Sequence, residues 1–217
     1  MFAILRLAAS ASILFGIIFQ VTDLILHSAF APGQYFSYFT IQSSLINVVV
    51  LTVGAVLSLR APRDTELFTR IRMAALCYAV MTAAVFNLLL RGHSVDDGHY
   101  PGLDWPNEIM HVAIPIFLVI DWLVASGTRR LRFTALGTVV SYPLVWAAFT
   151  LVRGAITGWY PYPFLDPAQV GGYIGVSIYV VAIAAFILAI AVGAVAVGRV
   201  RARSVELAGA GDASAAD

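Results

Sequence analysis

"YFTIQSSLINVVVLTVGAVL", residues 38 to 57, joins two kinds of chemistry in one run. The second half, "VVVLTVGAVL", is almost wholly apolar. The first half carries Thr40, Gln42, Ser43, Ser44 and Asn47, five hydrogen-bonding side chains within eight residues. Taken as residues 38–59, the run reaches the ~20 residues that a helix needs to cross a hydrocarbon core. Polar side chains inside lipid are costly and face a bundle interior or a watery cavity. Thr40, Ser44 and Asn47 stand at i, i+4 and i+7 and so share one helix face. That face must look into a bundle, with Gln42 pointing elsewhere. The segment therefore implies further spans packed around it.

Composition agrees. Of 217 residues, 60% are hydrophobic and 12% charged, and the mean hydropathy is +0.88. A soluble domain is normally about 25% charged, so the chain reads as an integral membrane protein with the lipid bilayer as its main partner. A net charge of +1 gives no basic footprint for nucleic acid. The single cysteine, Cys77, excludes an intrachain disulfide and a multi-cysteine zinc cluster.

Six apolar segments can span the membrane, at about residues 2–26, 38–59, 71–90, 107–124, 133–152 and 172–197. The expected fold is an all-α, polytopic six-helix bundle over residues 1–203, followed by a disordered cytoplasmic tail at 204–217, "SVELAGAGDASAAD". Arg60, Arg63, Arg70 and Arg72 lie in the second loop; Arg129, Arg130 and Arg132 in the fourth; Arg199, Arg201 and Arg203 after the last span. The odd-numbered loops hold only Arg91 and Arg153. Cytoplasmic loops carry the Lys/Arg excess, so both termini are expected in the cytoplasm of a multi-pass cell-membrane protein. "AFA", residues 29–31, resembles a signal-peptidase site, but Pro32 would follow the cut and Asp23 and His27 interrupt the apolar region. The first segment is therefore read as a retained span. No internal repeat is visible. Pro143 is a single kink candidate with no counterpart, unlike the paired broken spans of transporters.

Polar residues gather on the expected outer side: His27, His93, His99 and His111, with Asp23, Asp96, Asp97, Asp104 and Glu108. Four histidines beside carboxylates could bind zinc, yet their spacing matches no zinc motif, so no metal and no cofactor is expected. On the inner side Asp121 is expected to pair with Arg129 or Arg130. Asp23 and His27, at i and i+4, form either a capped interfacial pair or a carboxylate–imidazole pair assisting a site.

Thr40 and His111 each lie about one turn inside a span that starts outside, hence at similar depth. A hydroxyl beside a neutral imidazole is the minimal nucleophile–base pair. The plainer alternative is helix–helix contact, in which Ser, Thr and Asn bridge spans at about 0.6–2 kcal/mol each. Asn107 and Glu108 precede His111 by four and three residues, and either could orient its ring. Ser44, Asn47 and Asn87 are candidate donors to an oxyanion. The fifth loop, "GWYPYPFLDPAQVGGY", is either an aromatic cap over the outer mouth or an interfacial belt.

"YFT" at residues 38–40 and "NEIMHVAIP" at 107–115 resemble the androgen-induced gene product family, which includes the androgen-dependent regulator of tissue factor pathway inhibitor. The chain looks like one of its bacterial six-span relatives, and "YPYPFLD" before the last span fits the same pattern. The resemblance implies an intramembrane hydrolase that cleaves fatty acid esters of hydroxy fatty acids, with Thr40 matching the nucleophile and His111 the base. Ser43 and Ser44 offer nearby alternative hydroxyls. Glu108 stands where animal members carry a second His. The alternative class is a non-enzymatic lipid or small-solute carrier, or a complex subunit, whose polar cavity binds without reacting. Nothing in the sequence fixes an oligomeric state.

Overall fold

A computed structural model describes residues 1–61, 63–92, 102–125 and 130–214, with side chains through residue 200. The described chain is all-helical and contains six helices long and apolar enough to cross a membrane. They are α1 (Phe2–Leu26), α2 (Phe39–Arg60), α3 (Glu66–Leu90), α4 (Trp105–Val124), α5 (Phe133–Thr157) and α6 (Tyr173–Ser214).

Local chemistry sets the ends. Thr65 caps α3 by accepting a hydrogen bond from the Phe68 amide at 3.1 Å, and Glu66 pairs with Arg70 one turn on. This capped polar turn starts α3 before residue 71, where the apolar pattern begins, because hydropathy registers only the membrane-facing part of a helix. Gly158, at φ +73°, ends α5 in the left-handed conformation open to glycine. The last helix runs to Ser214, beyond the apolar span. The Ala, Leu and Glu of residues 204–214 are strong helix formers.

α3 is the central post. It packs against α2, α4, α5 and α6, and Met73, Ala75 and Cys77 on it are fully enclosed. α1 lies along α2 and touches the start of α4. The segment 158–172 crosses back as a strap, with a short turn at Pro163–Leu165 packed on α6.

At the opposite end of the bundle from Thr40, a buried ion network ties four parts of the chain together. Arg6 of α1 grips Asp121 of α4 with two hydrogen bonds, at 2.8 and 3.1 Å, and donates a third to the Gly54 carbonyl of α2 at 2.9 Å. Arg72 of α3 donates to Asp121 at 2.8 Å and also pairs with Asp64. All four side chains are at least nine-tenths buried. Asp121 thus binds Arg6 and Arg72, which corrects the expected pairing with Arg130; Arg129 lies outside the described residues. The two arginines compensate two carboxylates in a low-dielectric setting where an unpaired charge would be very costly.

Candidate active site

The helix-two face is buried as its spacing requires: Thr40, Ser44 and Asn47 are 8%, 7% and 2% exposed. Ser43, which the i, i+4, i+7 spacing omits, is buried as well and donates to the Thr40 carbonyl at 3.2 Å. Asn47 donates to the Ser43 carbonyl at 3.0 Å. Gln42 turns toward α5, where it meets the Tyr142 hydroxyl.

Thr40 Oγ1 lies 3.1 Å from His111 Nε2. On the other side of the ring, His111 Nδ1 lies 2.9 Å from the Asn107 carbonyl. A carbonyl can only accept, so Nδ1 carries the proton. In the neutral ring Nε2 then keeps its lone pair for the Thr40 hydroxyl. This is the tautomer a general base needs.

The backbone around His111 shows how the sequence arranges this. Residues Ile109–Ala113 form one π-helical turn, a form often found at functional sites. Pro115 has no amide hydrogen, so the His111 carbonyl loses its usual partner four residues on. Asn87 fills the gap from α3, donating to that carbonyl at 3.3 Å. A second π turn, Phe86–Leu90, lies opposite and brings the Phe86 ring flat onto His111, with centroids 4.0 Å apart and planes 13° apart.

Several sequence candidates thereby take other roles. Asn87 is a backbone partner of His111, with its carbonyl oxygen accepting from Arg91 at 2.8 Å, so it does not offer a donor to an oxyanion. Glu108 pairs with Arg91 and does not hold the imidazole; the Asn107 main chain does. The Asn107 side chain meets Gln20 instead, at 3.4 Å. Asp23 and His27 pair with each other near the end of α1, and neither lines the cavity described next. Ser44 and Asn47 are absent from its lining too. Among the described residues no three His, Cys, Asp or Glu side chains converge on a metal-sized site. His93, His99, Asp96 and Asp97 lie outside the described residues.

Thr40 and His111 stand at the polar end of a cavity of about 310 Å³. Its walls are apolar: Val85 and Phe86 from α3, Pro143 and Ala147 from α5, Ile183 and Ile187 from α6. Leu144 and Leu188 also line it, and both are exposed on the outer flank of the bundle, at 57% and 37%. The cavity therefore reaches the apolar flank between α5 and α6.

A third polar group stands beside the Thr40–His111 pair. Tyr162, on the strap, lies 8% exposed beside Thr40. Its hydroxyl is 3.4 Å from the Thr40 amide and 3.5 Å from Thr40 Oγ1. Tyr162 stacks on Phe164 and meets Tyr38 edge-on. Trp146 packs nearby and donates to the Ser37 carbonyl at 3.0 Å. Gly154 lets the strap approach α5, since a Cβ there would fall 2.0 Å from the Tyr160 ring. The available signals were the aromatic density of the fifth loop, which an interfacial belt would share, and the family likeness of "YPYPFLD", which assigns Tyr162 no role.

A family model described as FAR-17a/AIG1-like protein matches residues 1–195. No curated protein and no solved structure matches the chain.

Proposed function

The chain belongs to the FAR-17a/AIG1-like family, and on that premise we propose that it is an intramembrane hydrolase of lipid-like carboxylic esters, of the type formed between a fatty acid and a hydroxy fatty acid. The observation that carries this reading is the 3.1 Å approach of Thr40 Oγ1 to the free lone pair of His111 Nε2, at the foot of an apolar cavity.

The substrate acyl chain enters sideways from the outer leaflet, between α5 and α6, and places its ester carbonyl over Thr40. Thr40 Oγ attacks the carbonyl carbon while His111 Nε2 takes the hydroxyl proton. The tetrahedral intermediate collapses, the bond to the leaving alkoxide breaks, and His111 returns the proton to that oxygen. Water then repeats the sequence on the acyl-threonine, releasing the acid. Phe86 holds the ring plane and the Asn107 carbonyl holds its tautomer. Such a pair outside bulk water has few competing nucleophiles and a carbonyl held near attack distance.

The test is hydrolysis of long-chain acyl esters by purified protein in detergent. Labelling by a fluorophosphonate that Thr40→Ala abolishes would add support. Ligand transport without turnover would instead favour the carrier reading.

A further inference from the structure

We infer that Tyr162 and the main-chain amide of Thr40 together form the oxyanion hole of this site. The assignment rests on the hydrolase reading and adds to it the group that stabilises negative charge.

Ester cleavage through a tetrahedral intermediate moves an electron pair onto the carbonyl oxygen, and donors must already stand where that charge appears. The side chains that the sequence offered for this task do not serve it. Ser44 and Asn47 lie outside the cavity lining, Asn47 bonds a main-chain carbonyl within α2, and Asn87 bonds the carbonyl of His111.

Two donors stand beside the nucleophile, with the Phe39 amide next to them at the start of the helix. Thr40 is the second residue of α2, so its amide belongs to the first turn, where no carbonyl inside the helix can accept from it. In the structure that amide donates to the Tyr162 hydroxyl, at 3.4 Å. The positive end of the 22-residue helix adds to the field at the same point. The second donor is the Tyr162 O–H itself. Two donor atoms 3.4 Å apart can both reach one oxygen placed about 2.7–3.1 Å from each, the range an oxyanion hole requires. When the oxyanion forms, one long hydrogen bond between the pair is exchanged for one short bond from each.

Tyr162 is prepared for this. Burial pushes its phenol up to about 12, opposed by its hydrogen bonds with Thr40 and with the Phe39 main chain, so it keeps its proton at neutral pH. Phe164 at 5.1 Å, Tyr38 at 5.5 Å and Trp146 at 6.0 Å fix the ring, so little reorganisation accompanies the reaction. His111 Nε2 lies nearer Thr40 Oγ1 than the Tyr162 hydroxyl does, at 3.1 Å against 3.5 Å, and takes the Thr40 proton, which leaves the Tyr162 proton for the oxyanion. The bond balance is complete: Thr40 O–C forms, the C=O π pair moves to oxygen, and the Thr40 proton goes to Nε2. On collapse the C=O returns, the leaving C–O bond breaks, and Nε2 gives the proton to the alkoxide.

The experiment compares Tyr162→Phe with wild type on an acyl ester and on the matching thionoester, in which sulfur replaces the carbonyl oxygen. The ring and its packing are kept. Loss of one such donor lowers kcat by roughly 100- to 1,000-fold, with KM nearly unchanged. Sulfur accepts hydrogen bonds poorly, so the wild-type rate ratio of ester to thionoester should be large and should fall sharply in Tyr162→Phe. That ratio is measured within one preparation and is independent of the folded fraction, so a partly unfolded variant still reports. If Thr40→Ala is inactive while Tyr162→Phe keeps the wild-type kcat and ratio, the oxyanion assignment is overturned and the hydrolase reading survives. If Thr40→Ala hydrolyses the ester at the wild-type rate, or wild type hydrolyses none, the reading beneath fails and the assignment falls with it.

Discussion

Thr40 Oγ1 and His111 Nε2 stand 3.1 Å apart although 71 residues separate them in the chain. α2 and α4 bring them to one depth, and a π turn followed by Pro115 turns the imidazole toward the hydroxyl.

Phe86 lies flat on His111 at 4.0 Å. An aromatic pair of this kind contributes about 0.5–1.5 kcal/mol beyond its buried area. Phe86→Leu keeps an apolar wall and removes the platform. Its kcat on an acyl ester is expected to fall roughly threefold to tenfold, while the thermal unfolding midpoint moves little. Steady-state kinetics beside a melting curve checks both.

Ala184 lines the apolar part of the cavity. Ala184→Phe fills space that an acyl chain would occupy and should shorten the preferred chain. Each methylene left outside forfeits about 0.8 kcal/mol of burial, or about fourfold in kcat/KM. A series of esters of increasing acyl length should show an earlier plateau in the variant than in wild type.

Asp121 joins Arg6 and Arg72 at the far end of the bundle. Asp121→Ala leaves two buried guanidiniums without this carboxylate, and breaking such a pair costs about 3–5 kcal/mol. Unfolding in detergent should move to a markedly lower temperature. Asp121→Ala combined with Arg6→Met should recover part of the loss, because Arg72 keeps Asp64 as a partner and the uncompensated guanidinium of Arg6 is removed.

Gly175 opens the first turns of α6, and a Cβ there would fall 1.7 Å from the Val170 carbonyl oxygen. The neighbour is backbone, so the strap must move to admit a methyl group. Gly175→Ala is expected to destabilise the protein by about 1–3 kcal/mol and to lower ester turnover by displacing Tyr162. Thermal unfolding and kcat on the same preparation test both effects.

The six spans were legible because lipid demands long apolar segments, and a segment's hydropathy is a property of consecutive residues. The inward face of α2 was legible for a similar reason: Thr40, Ser44 and Asn47 share a helical period, and that period predicts their common burial. Depth alone placed Thr40 and His111 at one level, but their contact is a relation between helices that no local pattern encodes. Asp121 shows the limit. The arginines nearest in sequence drew the expected pairing, whereas its partners come from 115 and 49 residues away. Tyr162 was hidden for a different reason: a tyrosine in an aromatic loop looks the same whether it meets the interface or folds inward to a threonine. The roles of Asn87 and Glu108 depended on Pro115 freeing one carbonyl and on Arg91 reaching Glu108, both invisible to spacing.

The measurement that bears most directly on the hydrolase reading is the rate at which purified wild type, Thr40→Ala and His111→Ala release fatty acid from a long-chain acyl ester. Wild type should turn over. Thr40→Ala should lose the activity above background, and His111→Ala should fall by about 100-fold or more, the scale of a lost general base. Equal rates in all three proteins would contradict the account.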